Sequence, residues 1–190
     1  MDYSQAFESA VEHVMLYEIG GFVNVNDPGV IDGTDRRACG WSNDPTDAGG
    51  ETKYGIAKNA NPSVDVTDLD WDGAKAIYYK SYWLTGHCGD LPGCIAVLHF
   101  DGAINNGPAT AAKFLQNAVN VIADGAIGPG TIAAVNAGDP IDICNAICDQ
   151  RVQYYKNIVA RKPEQAKYLA GCMRRIEEMR TFTTDPNGNF

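Results

Sequence analysis

The hydrophobic positions of residues 4–18 follow the periodicity of an amphipathic helix. Apolar side chains recur at three- and four-residue spacing, which places them on one face; they are Ala6, Phe7, Ala10, Val11, Val14 and Met15. Ser4 can cap the start of this helix. Gly20 and Gly21 can end it, because paired glycines accept left-handed backbone conformations. The pattern therefore predicts a first helix with Glu18 in its last turn.

Residues 22–52 lack this periodicity. Turn-forming residues crowd the stretch, among them Asp27-Pro28-Gly29, Asn43-Asp44-Pro45 and Gly49-Gly50, and such residues disfavour long regular elements. We expect a loop with a short hairpin near its end. A loop of this length inside a compact domain is usually functional or mobile.

Beyond the loop, apolar periodicity returns in short segments separated by proline, glycine and aspartate. The segments predict a helix that is capped within residues 67–70 and ends at 83, and helices over 91–104 and 109–119. Further helices are predicted from the turn at 128–129 to 136, over 140–160 and over 163–179. The predicted fold class is therefore mainly α. The polar residues 181–190 predict a flexible tail.

Composition and charge narrow the possible functions. The 190 residues suffice for a compact domain with a buried core. With 24 acidic and 15 basic side chains the formal charge is -9, which argues against nucleic-acid binding because phosphates are bound mainly by Lys and Arg. No apolar run reaches the roughly 18 residues of a membrane span, and the first residues lack the pattern of a secretory signal.

Six cysteines raise the questions of disulfides and of metal binding; they are Cys39, Cys88, Cys94, Cys144, Cys148 and Cys172. Without a secretory signal, free buried thiols are favoured. His87, Cys94 and His99 can be taken as a zinc set, but their spacing matches no standard paired motif. We therefore predict neither a metal nor a cofactor.

The acidic residues around the loop suggest glycosidic chemistry. Cleavage of a glycosidic bond requires a carboxylic acid that protonates the leaving oxygen and a second group that supports the ring cation or orients water. Glu18 can meet the turn that carries Asp47, Glu51 and Thr52, because the loop lets the chain return over the helix end. The apolar neighbours of Glu18 are expected to raise its pKa. From the residues alone, a solvated helix-end glutamate remains the alternative.

Two ordered motifs resemble a known family. Tyr17-Glu18-Ile19-Gly20-Gly21-Phe22 and the later segment from Asp47 to Ile56 look like the signature of glycoside hydrolase family 108. Residues 76–83, 91–92 and 100–107 resemble the rest of that domain. Leu115-Gln116, Asp124-Gly125, Gly128-Pro129 and Thr131 look like the small peptidoglycan-binding region joined to it. The chain departs from the family pattern at Ile19, usually glycine, at Cys172, typically tryptophan, and in its longer loop.

The resemblance implies a lysozyme-like helical fold with Glu18 as the catalytic acid. It also implies that Asp47 stabilises the cationic state or orients water, and that Thr52 holds that water. Glu51 is either the second carboxylate or a brace for the loop. Three further residues are expected to line the sugar cleft, namely Tyr54, Trp83 and Asn105. Asp47 as a turn residue and the aromatic rings as core residues are the alternatives.

The resemblance further implies a function and a domain plan. We expect residues 1–100 to form the catalytic region, 101–180 to form a helical peptidoglycan-binding region packed on it, and 181–190 to form the tail. The expected activity is hydrolysis of the β-1,4 bond between N-acetylmuramic acid and N-acetylglucosamine in bacterial peptidoglycan, by a monomeric phage endolysin. Such an enzyme is made in the host cytoplasm and reaches the wall through a holin-type pore. The alternatives are a non-catalytic wall-binding virion component and a zinc amidase using His87, Cys94 and His99.

Overall fold

The computed structural model describes residues 2–18, 40–43, 49–185 and 188, with the side chains of residues 16–18 excepted. These residues are mainly helical, which confirms the predicted class and agrees with a lysozyme-like helical fold. None of the helices described is long and apolar enough to cross a membrane. The elements are α1 (Gln5–Glu18), β1 (Thr52–Lys53), β2 (Ile56–Ala57), α2 (Trp71–Tyr78), α3 (Gly93–Asn106), α4 (Pro108–Ala118), α5 (Pro129–Ala137), α6 (Pro140–Arg161) and α7 (Ala166–Thr183). A π-helical turn (Tyr79–Leu84) extends α2.

Local capping interactions set several of the helix starts. The Ser4 hydroxyl accepts a hydrogen bond from the backbone N–H of Phe7 at 3.2 Å. The Asp70 carboxylate caps α2, and the Asp139 carboxylate caps α6 by accepting from two backbone N–H groups. The C-terminal end of α7 lies at Thr183, four residues beyond the predicted end at residue 179. The helix continues because Thr183 is buried and its hydroxyl donates to the Met179 carbonyl at 2.8 Å.

The chain divides into two compact units. The larger unit contains residues 1–10 and 82–190, and the smaller unit contains residues 11–81. The sequence-based boundary at residue 100 falls inside the continuous helix α3. That domain plan stays a prediction.

Helix α3 is the centre of the larger unit. Residues 95–103 are all buried, and α3 contacts α4, α6 and α7. Phe100 on this helix packs edge-on against Phe7 and Trp83, with ring centroids 5.8 and 5.6 Å away. Each fully buried side chain of this size contributes on the order of 1.5–3 kcal/mol by leaving water.

A buried ion network crosses this core. The Asp101 carboxylate lies 2.7 Å from the guanidinium of Arg151 and 2.7 Å from that of Arg175. Burial would raise the pKa of Asp101, but the two guanidinium groups outweigh it and hold the pKa below its usual range. Since the three residues come from α3, α6 and α7, the network fixes how these helices pack.

In the smaller unit a two-residue turn joins β1 to β2. The strands pair antiparallel, with Thr52 opposite Ala57 and Lys53 opposite Ile56. Tyr54 and Gly55 both have positive φ, 52° and 75°, as a type I′ turn requires. The Tyr78 hydroxyl donates to the Tyr54 carbonyl at 3.0 Å. This bond attaches the hairpin to α2. The pairing of β1 with β2 confirms the short hairpin that the sequence predicts.

Candidate active site

The predicted site residues fall in both compact units. Glu51, Thr52 and Tyr54 belong to the hairpin of the smaller unit. Glu18 is the last residue of α1, but its side chain is not among those described, and Asp47 lies outside the described residues altogether. The remaining two candidates, Trp83 and Asn105, belong to the larger unit.

Glu51 is anchored on both carboxylate oxygens. The Trp41 indole N–H donates to its Oε1 at 2.9 Å. The Thr67 hydroxyl lies 3.0 Å from Oε1 and 3.2 Å from Oε2. The carboxylate therefore ties the start of the hairpin to segments ten and sixteen residues away. A carboxylate has roughly four acceptor positions, so this one retains capacity for a water molecule or a sugar hydroxyl.

Thr52 is held by backbone and side chain together. Its backbone N–H and C=O pair with those of Ser42 at 2.8 and 2.9 Å, and its hydroxyl donates to the Gly50 carbonyl at 3.2 Å. Gly50 has φ of 72°, a conformation that favours glycine. The hydroxyl proton is used in this bond, and no described residue donates to Thr52 Oγ1, so its lone pairs can accept from water. The water-positioning role of Thr52 stays a prediction.

The side chains of Tyr54 and Trp83 are buried in the core. Tyr54 is 1% exposed, with its ring 5.7 Å from that of Trp71. Trp83 is 3% exposed and packs edge-on against Phe7 and Phe100. Rings this buried present little surface to a sugar, which favours the packing alternative. Their contact with substrate stays a prediction.

Asn105 is exposed at the C-terminal end of α3. Its side-chain oxygen accepts a hydrogen bond from the Tyr155 hydroxyl on α6. The amide of Asn106 donates to the same hydroxyl at 2.7 Å. The bond to Tyr155 orients the exposed Asn105 side chain, and its role as a sugar ligand stays a prediction.

The proposed zinc set does not converge. Across the described residues, no three His, Cys, Asp or Glu side chains are grouped so as to hold a metal ion. His87 pairs with Asp90 at 3.1 Å, and Cys94 shares a hydrogen bond with Cys144. His99 is 2% exposed, and burial lowers its pKa to about 4. The five cysteines in the described ranges are free thiols, of which Cys88, Cys144 and Cys148 are buried and Cys94 and Cys172 are partly exposed; Cys39 lies outside those ranges.

Sequence patterns did not indicate the partners of Glu51. Trp41 stands within the turn-rich loop, and Thr67 was noted only as part of a helix start. The separations of ten and sixteen residues match neither helical nor strand periodicity. The turn-forming residues before β1 indicated only that the chain reverses direction in this region, not which side chains meet Glu51.

Comparisons with known proteins agree with the resemblance found in the sequence. Residues 32–107 match the model of the glycosyl hydrolase 108 family, and residues 110–177 match that of a predicted peptidoglycan domain. The fold resembles the solved structure of SagA from Brucella abortus with a TM-score of 0.68 and 28% sequence identity, over 95% of this chain and 97% of that one. No curated protein matches the chain. Glu18 precedes the hydrolase match, whereas the other predicted site residues lie within it.

Proposed function

We propose, from the premise that this chain joins a glycosyl hydrolase 108 region to a predicted peptidoglycan domain, that it is a muramidase. Its reaction is hydrolysis of the β-1,4 bond between N-acetylmuramic acid and N-acetylglucosamine. The two matches support a glycosidase acting on peptidoglycan. The observation that carries the finer proposal is that the anchored turn with Glu51 and Thr52 lies inside the hydrolase match.

Glu18 is the proposed general acid. It donates its proton to the glycosidic oxygen as the bond breaks, and the sugar develops oxocarbenium character. Asp47 stabilises that cation or orients the attacking water, and the Thr52 hydroxyl accepts a hydrogen bond from the water. The fixed orientation of the Thr52 hydroxyl supports this role. Glu51 is the second candidate for the partner carboxylate.

Replacing Glu18 tests the central assignment. Glu18→Gln keeps the side-chain shape and removes the acidic proton, so we expect clearing of purified cell walls to fall by roughly 10²–10⁴-fold with thermal unfolding unchanged. Glu12→Gln is the matched control, because it neutralises an exposed carboxylate on the same helix and should leave clearing intact. Wall clearing that persists in Glu18→Gln contradicts the assignment. Mass spectrometry of the products should show a new muramic acid reducing end.

Two further substitutions separate the candidates for the second group. If Glu51 is the partner carboxylate, Glu51→Gln abolishes clearing even at temperatures where the variant is fully folded. If Glu51 is a brace, the same change loosens the bonds to Trp41 and Thr67, so the melting temperature falls while clearing at low temperature persists. In the second case Asp47→Asn should be the inactive variant.

The proposed biological role is that of a phage endolysin. The enzyme, a monomer, is made in the host cytoplasm, passes a holin-type pore and opens the wall for host lysis. One alternative role is favoured by the match of residues 110–177 to a predicted peptidoglycan domain, namely that of a non-catalytic wall-binding virion component. Sedimentation of the protein with purified peptidoglycan, without loss of turbidity, would favour that alternative.

A further inference from the structure

A cavity of about 120 Å³ lies between α6 and α7. Its walls are mainly apolar, and it is lined by Tyr155, Ile158, Val159, Gln165, Tyr168, Leu169 and Cys172. All seven residues lie within the match to the predicted peptidoglycan domain, and all belong to the larger compact unit. None of the candidate catalytic residues lines it.

The size of the cavity limits what can enter. An apolar cavity of roughly 150 Å³ in a protein core accommodates benzene. A space of about 120 Å³ therefore takes a small apolar group, such as the methyl end of an acetamido substituent, and excludes a whole sugar ring. The sugar that carries the substituent has to remain at the cavity mouth.

The residues at the cavity provide the contacts that such a sugar needs. Tyr168 is 56% exposed, and the Lys167 ammonium lies 4.9 Å from its ring centroid. An exposed tyrosine offers an apolar face with a polar tip to a ligand. The Gln165 side-chain amide is not hydrogen-bonded to any residue that the structure describes, so both its N–H and C=O groups are available to an acetamido group.

The wall of the cavity that carries Tyr155 is hydrogen-bonded to α3. The Tyr155 hydroxyl donates to Asn105 and accepts from Asn106 at 2.7 Å, which holds its ring against α3. The lining residues carry no formal charge. An ammonium or carboxylate group of a peptide stem that entered the cavity would have no counter-ion in its walls, and the Lys167 ammonium lies outside the lining, beside Tyr168. Burying such a charge unpaired is costly. The chemistry therefore favours the glycan over the peptide part of peptidoglycan.

We infer that this α6–α7 cavity is a non-catalytic subsite for the acetamido group of an N-acetylhexosamine. The methyl group enters the apolar space, the amide pairs with Gln165, and the sugar face lies on Tyr168. The choice of ligand rests on the proposed function, while the site itself is separate from the proposed catalytic residues. Such a subsite holds a glycan strand while another part of it is cut.

Methyl NMR of the Glu18→Gln protein tests the site without turnover. The probes are tri-N-acetylchitotriose and cellotriose, which share the β-1,4 linkage and differ in the acetamido groups. We expect tri-N-acetylchitotriose to shift the methyl signals of Ile158, Val159 and Leu169, and cellotriose to leave them unchanged. Equal shifts with both probes, no shift with either, or shifts caused only by a stem peptide would each overturn the inference.

Two variants give a matched test of affinity. Tyr168→Ala removes an exposed ring and should weaken binding at these methyl signals by roughly five- to tenfold. Ile122→Ala, at a site 86% exposed and away from the cavity lining, should leave affinity unchanged. Equal affinity of Tyr168→Ala and the parent protein for tri-N-acetylchitotriose contradicts the proposed contact between the sugar face and the Tyr168 ring. Because the signals report binding alone, failure of wall clearing by the wild-type enzyme refutes the proposed function and leaves this readout intact.

Discussion

His99 lies at the centre of α3 with only 2% of its surface exposed. Burial lowers its pKa from 6.5 to about 4, against an opposing hydrogen bond with the Gly86 backbone. As the pH falls, the His99 side chain therefore binds a proton at a higher pH in the unfolded chain than in the folded protein. Because the folded pKa is depressed, the neutral imidazole contributes stability above pH 6.5, and this contribution is lost as the pH falls from 6.5 to about 4.

The size of this effect follows from the pKa difference. One pKa unit corresponds to about 1.4 kcal/mol, so a shift from 6.5 to about 4 predicts that folding loses on the order of 3 kcal/mol between neutral pH and about pH 4.

Urea unfolding of the wild type and His99→Gln across this pH range measures the contribution. The free energy of unfolding of the wild type should fall by about 3 kcal/mol more than that of the variant. His87→Gln is a second histidine variant, at a partly exposed side chain that pairs with Asp90, and it should not reproduce the loss of about 3 kcal/mol assigned to His99. Parallel profiles for wild type and His99→Gln would refute the reasoning. If the variant folds poorly, an NMR titration of the His99 imidazole in the wild type replaces it. The expected pKa is about 4, and a pKa near 6.5 would contradict the prediction.

Two further predictions concern buried and reactive groups. Asp101→Asn leaves the Arg151 guanidinium uncompensated in the core, so the free energy of unfolding should fall by roughly 3–5 kcal/mol and the melting temperature by about 10 °C; a melting temperature equal to that of the wild type, by scanning calorimetry, contradicts this. The hydrogen bond with Cys144 lowers the pKa of Cys94 to about 7, whereas burial raises that of Cys88. Iodoacetamide at neutral pH should therefore alkylate Cys94 before Cys88, and peptide mass spectrometry that finds the reverse order would count against it.

Several helix starts were predictable because their causes are local. Ser4, Asp70 and Asp139 each bond a backbone N–H within three residues, and such a pattern can be found in the sequence without knowledge of the fold. The end of α7 was misplaced for the converse reason. Burial of Thr183 depends on packing, and packing leaves no mark at that position in the sequence.

The candidate site was predictable in outline only. The turn-rich segment and its carboxylates were evident in the sequence. The contacts of Glu51 with Trp41 and Thr67, which bear on whether it is the second carboxylate or a brace, were not. These partners meet only when the chain has folded back on itself. Similarly, an aromatic residue at helical spacing can be a sugar contact or a core residue. Trp83 is only 3% exposed because Phe7 and Phe100 pack around it.

By itself, the sequence determined the helical class, the hairpin and most helix starts, since periodicity, caps and prolines act over a few residues. Only the tertiary structure decided that Asp101 meets Arg151 and Arg175, that His99 is buried, and that α6 and α7 leave a cavity between them. These features join residues that are distant along the chain. Their geometry is set by how whole helices pack, and side-chain spacing along one helix carries no information about the helix that lies against it.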